Sequence, residues 1–229
     1  MDSRYTLSVI VPVLNEGAQI GDFLSVLKPQ LGPCDEVIVV DGDSADDTAP
    51  RAREAGAQVV AGERGRAKQL NAGATAASGQ GFVFLHADTV LPPVGLQRVR
   101  EAFEAGGQWG RFDVCLSGSH PTFRMVERMI SWRSRLSGIA TGDQAIFISR
   151  TCFDEIGGFP DIPLMEDVEI SKRLKRQAKP VCLRERVITS SRRWEKNGVL
   201  RTIMLMWLLR SAYAVGVRPA RLADFYRHG

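Results

Sequence analysis

An α/β domain, with parallel strands covered by helices on both faces, is what the sequence predicts, and three observations carry that prediction. Short β-branched apolar runs alternate with helical stretches through the first half of the chain. The runs are apolar at every position rather than at alternate ones, the pattern of strands buried on both sides. A polar cluster follows each of the main runs, at the carboxyl end of the strand, where open parallel sheets bind their ligands. The 229 residues, 44% hydrophobic and 24% charged, suit one domain with a substantial core and exclude disordered, collagen-like and coiled-coil chains.

The first strand is expected at 7–13 and leads into Asn15 and Glu16. A helix follows at 18–27, then a strand at 36–40 that ends in Asp41, Asp43 and Ser44. The next helix, 46–55, opens with Asp47 and Thr48, residue types that suit a helix N-terminus. A short strand at 58–61, a helix at 66–77 and a strand at 82–85 complete the alternation, and the last leads into His86 and Asp88. Beyond Pro93 the pattern loosens: a helix at 95–105, a strand at 111–116, an Arg-punctuated helix at 123–136 and a strand at 145–149. A helix at 166–176, two short strands at 181–183 and 187–190, and a strongly apolar helix at 199–215 end the series. No repeat or low-complexity linker divides the chain, so 1–229 is read as one domain.

The formal charge of +4 hides an asymmetry. Residues 184–229 carry ten Lys/Arg against three Asp/Glu, a net +7, and the rest of the chain sums to −3. A local basic segment beside an acidic body fits a phosphorylated ligand or an anionic membrane surface, and no nucleic-acid partner is expected. Cys34, Cys115, Cys152 and Cys182 are widely spaced, without the spacing of a zinc site or a small disulfide framework, so buried reduced thiols are expected. Pro12, Asn15 and Glu16 cut the first apolar run too short for a signal peptide, and a cytoplasmic location is expected.

The turn after the first strand reads PVLNEG, not the GxGxxG of a dinucleotide fold, and GxxxxGK[ST] is absent, which removes P-loop chemistry. The blocks SVIVPVLNE (8–16), VIVVDGDSADDT (37–48) and FVFLHADTVLP (82–92) occur in the order of a family 2 glycosyltransferase, and together the chain resembles that family. The resemblance continues through GRAKQLNAG (65–73), GDQAIF (142–147), GGFPDIPLMEDVEI (157–170) and SSRRW (190–194). It is closest to a small soluble bacterial subgroup with the RRW ending, one associated with arsenosugar biosynthesis. The resemblance implies the GT-A fold, a Rossmann-like mixed sheet, with 1–93 as nucleotide-binding half, 94–198 as acceptor and catalytic half, and 199–229 as a C-terminal helical segment. It also implies a nucleotide-sugar donor, UDP-linked, an unidentified acceptor that is either a small molecule or lipid-linked, and transfer with inversion.

By the same resemblance Asp41 takes a hydrogen bond from a uracil ring, as an acceptor-only carboxylate can; a plain turn residue in the DGD cluster is the other reading. Pro12, Asn15 and Glu16 would shape the wall around base and ribose, with Arg66 and Lys68 near the diphosphate or, equally, on an exposed helix face. His86-Ala87-Asp88 occupies the position of the family's DxD, so Asp88 is the expected ligand of Mn²⁺ or Mg²⁺. Such an ion on a diphosphate needs only one or two protein carboxylates. His86 replaces the first Asp and either neighbours the ion, touches ribose or phosphate, or is structural.

Glu166 and Asp167 match the pair whose Asp is the family's general base, which must take the proton of the attacking hydroxyl. Without that match, an acid at a helix start would be the simpler account. Arg193 and Trp194 match the end of QxxRW, with Ser190 where Gln would stand. Arg193 would stabilise the departing diphosphate; Trp194, with Asp143 and Gln144, is assigned to the acceptor, and a core Trp is the alternative. The run TIMLMWLL (202–209), bracketed by Arg201 and Arg210, is too short to span a bilayer. Residues 199–217 are therefore expected to meet a membrane surface, a second copy or the rest of the domain. Two other functions share features with this sequence: a sugar nucleotidyltransferase, which would want a Gly-rich basic loop after the first strand, and a non-catalytic binding module.

Overall fold

The computed structural model describes residues 5–228. In chain order the first half runs β1 (Leu7–Val13), α1 (Ile20–Leu27), β2 (Glu36–Asp41), α2 (Thr48–Glu54), β3 (Gln58–Ala61), α3 (Arg66–Ala76) and β4 (Gly81–Phe84). These four strands are parallel in the order β3-β2-β1-β4, so the first three expected strand ends do lie together at one edge. Side chains alternate across the pleat: Leu7, Val9, Val11 and Val13 pack under α1, while Ile10 faces α3 through Leu70 and Ala74. Gly73 lets α3 approach that closely, because a Cβ there would sit 2.4 Å from Ile10 Cγ2.

The second half adds β5 (Thr89–Val90), α4 (Gly95–Glu104), β6 (Trp109–Leu116), α5 (Pro121–Ser137), β7 (Ile146–Ser149), α6 (Arg150–Glu155), α7 (Glu166–Gln177) and β8 (Val181–Thr189). Three helices follow, α8 (Arg192–Asn197), α9 (Val199–Ala214) and α10 (Pro219–His228). β7 runs antiparallel to both β4 and β6, β6 is parallel to β8, and β5 is antiparallel to β8, so the sheet is mixed. The α4 side chains Leu96, Val99 and Phe103 join the α1 layer; Phe153 of α6 with Ile170 and Leu174 of α7 join the α3 layer.

The order β3-β2-β1-β4-β7-β6-β8-β5 forces the sheet to curl. β5 begins five residues after β4 ends, a reach of at most ~17 Å, yet four strand spacings of a flat sheet would be ~19 Å. Curling brings the end of β8 beside the turn that follows β4.

Several expectations are corrected. The two short strands at 181–183 and 187–190 are one strand, β8; Phe112 pairs with Leu183 and Asp113 with Arg186, so Arg184 and Glu185 bulge out and break the apolar pattern. β5, α6 and α10 were not anticipated, being short or lacking a long apolar period. All four cysteines are free thiols, but only Cys152 is buried, and Cys34 is exposed.

Candidate active site

The turn after β4 is closed by Thr89 N–H donating to His86 C=O at 3.0 Å. Thr89, fully buried, donates its hydroxyl to Thr189 Oγ1 at 3.1 Å, tying this turn to the end of β8. Asp88 is left exposed, with the Thr89 hydroxyl 3.3 Å from its Oδ1. The His86 ring turns its Cε1–Nε2 edge to Gly142: a Cβ there would be 2.7 Å from both atoms. Burial, helped by the charge of Arg66, pushes the imidazole down to about 3, so it is neutral at any working pH.

Glu166 and Asp167 open α7, directly after Met165, whose φ of +70° is a left-handed conformation that costs a non-glycine residue. Asp167 Oδ2 accepts from Gly142 N–H at 3.2 Å and Oδ1 from Val168 N–H at 2.7 Å, which fixes the carboxylate. Glu166 is buried and receives Arg66 Nη1 at 3.2 Å. Burial and the neighbouring Asp167 push the Glu166 carboxyl up, and Arg66 opposes them. Arg66, Phe84, His86, Gly142, Glu166 and Asp167 thus line one narrow crevice.

Arg193, in the first turn of α8, holds its guanidinium carbon 4.4 Å from the centre of the Tyr226 ring. Burial and Arg66 lower its pKa while Asp88 raises it, so Arg66, Arg193 and Asp88 act on one another. On the other side, the loops after β1 and β2 are knitted into a wall. Asn15, at φ +57°, accepts Ala45 N–H at 2.8 Å and donates its own N–H to Ser44 Oγ at 2.9 Å. Ser44 in turn donates to Asp41, Glu16 N–H donates to Thr48 Oγ1 at 2.8 Å, and Pro12 sits half-buried in β1. Asn15, Asp43, Ala145 and Met165, the non-glycine residues with positive φ among those described, all lie in loops around this edge.

Three assignments place differently. Lys68 is bound to Glu63 at 2.5 Å; two residues from Arg66, it cannot share that residue's helix face. Gln144 is fully buried with both ends used internally, its Oε1 accepting Thr141 N–H at 3.1 Å and its Nε2 donating to Phe112 C=O at 3.3 Å. Trp194 is partly buried and packs on the cluster of Leu116, Phe123 and Val126. Asp143 is within electrostatic reach of Asp167: burial and Asp167 raise its pKa, Arg133 and Arg210 oppose, and its Oδ1 is buried without a partner.

Sequence reasoning missed Gln69, Arg133 and the inward turn of Arg210. Gln69, buried on α3, donates to Val13 C=O at 2.8 Å and Val40 C=O at 2.9 Å, joining the ends of β1 and β2. Arg133 is pushed down to about 10 by burial and by Arg210, with Asp143 and Asp167 opposing. An arginine ending an apolar run reads equally as a headgroup contact, so only packing reveals its direction.

Residues 8–158 match the model of Glycosyl transferase family 2. Glucosyl-3-phosphoglycerate synthase of Mycobacterium tuberculosis is 37% identical over 97 residues, 38% of this chain and 30% of that one. The chain thus spans about a third of the length of the mycobacterial synthases it matches. The crystal structure of that synthase from Mycobacterium tuberculosis, in complex with Mn²⁺, uridine diphosphate and glucosyl-3-phosphoglycerate, is similar with a TM-score of 0.58 at 23% identity, over 81% of this chain and 71% of that one. Mannosyltransferase PcManGT from Pyrobaculum calidifontis, in complex with GDP-Man and Mn²⁺, is similar with a TM-score of 0.62 at 22% identity, over 82% and 57%. These structures share the fold described above.

Proposed function

The chain belongs to glycosyltransferase family 2, and on that premise we propose that it moves a sugar from a nucleoside diphosphate donor, UDP-linked, to an acceptor nucleophile with inversion. The observation that carries this reading is the crevice lined by Arg66, His86 and Glu166–Asp167, with Asp88 two residues beyond His86 and Arg193 within electrostatic reach of both Arg66 and Asp88. In the reaction the acceptor hydroxyl attacks the anomeric carbon as the bond to the diphosphate oxygen breaks. Asp167, fixed through backbone N–H groups, takes the hydroxyl proton. Arg193 and Arg66 offset the charge that gathers on the departing diphosphate. Asp41 keeps acceptor capacity beyond its bond from Ser44 and would take the base N–H, with Pro12, Asn15 and Glu16 as the wall behind it. The mycobacterial synthase bound to uridine diphosphate supports this donor class.

Mn²⁺ or Mg²⁺ fits the residues only as an ion carried by the nucleotide: no group of three His, Cys, Asp or Glu that could hold a metal occurs among the described residues. Asp88, exposed and lightly bonded, would hold it, with neutral His86 alongside. When bound, the ion neutralises diphosphate charge as a Lewis acid. Asp143, within electrostatic reach of Asp167, would serve the acceptor. The Arg192–Trp194 ending supports placement in the arsenosugar-associated subgroup, and the apolar segment 199–217 supports peripheral contact with the cytoplasmic face of a membrane or with a second copy.

Thermal-shift measurements with UDP, GDP and their sugars in Mn²⁺ test the donor, since a ligand of the native state raises its stability. UDP is expected to stabilise, and Asp88→Ala to remove the metal-dependent part. Stabilisation by GDP and not by UDP would overturn the donor assignment.

A further inference from the structure

Two helices expose apolar stripes that the folded domain does not cover. On α5, Met125, Met129, Trp132 and Leu136 recur along one helical face, with Trp132 66% and Leu136 68% exposed. Phe123, Val126 and Ile130 of the same helix point the other way, into a small cluster shared with Val199 and Ile203 of α9. On α9, Leu200, Met204, Trp207 and Leu208 are exposed, Trp207 by 64%, while Leu205 and Leu209 pack inward on Met165 and Val168. The two helices meet in that small cluster. A solvent-exposed patch of this extent marks an interaction surface.

We propose that the outer faces of α5 and α9 dock on an anionic lipid bilayer. This deepens the membrane contact raised above and rests on the transfer reading only for its purpose. Charge decides the occupant. By helical spacing the exposed Arg128 flanks the α5 stripe and the exposed Arg201 flanks that of α9. A second copy docked symmetrically would set arginines against arginines, whereas anionic headgroups complement them. Tryptophans beside arginines suit the interfacial layer, where long basic side chains bury their stems and keep their charge at the surface. No helix among the described residues is long and apolar enough to cross a membrane, so α9 lies in the plane. Its inner face touches the residues on either side of Glu166–Asp167. The general base is then about one helix diameter, ~10 Å, from the headgroups, within reach of an acceptor held at that surface.

Flotation of the full chain with phosphatidylcholine vesicles, with and without about 30% phosphatidylglycerol, tests this. Binding is expected on the anionic vesicles, weak on the neutral ones, and reduced about tenfold or more by Trp132→Glu with Trp207→Glu. Both side chains are exposed, so melting temperature and stabilisation by UDP with Mn²⁺ are expected unchanged in that variant. No binding to anionic vesicles, or binding that the double variant retains, overturns the proposal. A dimer in sedimentation velocity that the same variant dissociates also overturns it and assigns the face to a second copy. Stabilisation by UDP in the same preparation reports on the transfer reading separately.

Discussion

A histidine two residues before an expected metal ligand would ordinarily titrate near 6.5, but His86 is held neutral down to about 3 by burial and by Arg66. Below 6.5 the unfolded chain then binds a proton that the folded chain refuses. Stability is therefore expected to rise with pH from about 3 to about 6.5 on this account and to be level above. His86→Gln should flatten that slope in denaturant titrations run at several pH values. For Asp167→Asn, kcat is expected to fall by roughly 10²–10⁴ with the melting temperature little changed; steady-state rates beside a melting curve check both. The carboxylates and Arg193 were legible because chemistry restricts which residue types can do these jobs. Gln144 was harder to read for the opposite reason: an amide serves a core as readily as a ligand, and only its burial and its bond to Phe112 show which use it has.

Among the elements, β6 carries an unusual load. Arg111 is wholly buried, paired with Asp113 and donating to Ser131 C=O at 3.0 Å, and Arg135 of α5 reaches the same Asp113 at 2.7 Å. One carboxylate thus fastens α5 to the sheet. Asp113→Ala leaves the Arg111 charge buried and unpaired and is expected to cost about 3 kcal/mol or more, read from urea unfolding. At the other end of the chain, Tyr226→Ala removes the ring under Arg193. A stack of this kind is worth roughly 0.5–1 kcal/mol, so KM for the donor should rise about two- to fivefold in steady-state kinetics. The continuous apolar strands β1, β2 and β4 were readable because burial on both faces leaves a pattern without ambiguity. β8 was not, since its bulge puts Arg184 and Glu185, next to Arg186, in the middle of the strand and splits its apolar ends. Nor was β5, where two residues cannot show a period.

At the scale of the whole molecule, the βαβ half followed directly from alternation, while the curl of the sheet did not, because strand order is a property of pairing between distant segments. The basic C-terminal stretch resolves into separate duties: Arg193 acts on Arg66 and Asp88, Arg210 acts on Asp143 and Arg133, and Arg192 donates to Gln19 Oε1 at 3.3 Å. Only the remainder is available to an anionic surface. The pairing of Thr89 with Thr189 joins positions 100 residues apart. Such a long loop is closed late, because its entropy is lost before its contacts form. Asp88 and Arg193 therefore become neighbours only when the last strand docks. On the proposed function, a folding chain that has formed its first half would own the wall for a base and Arg66 but lack Arg193, so tight nucleotide binding is expected only once folding is complete.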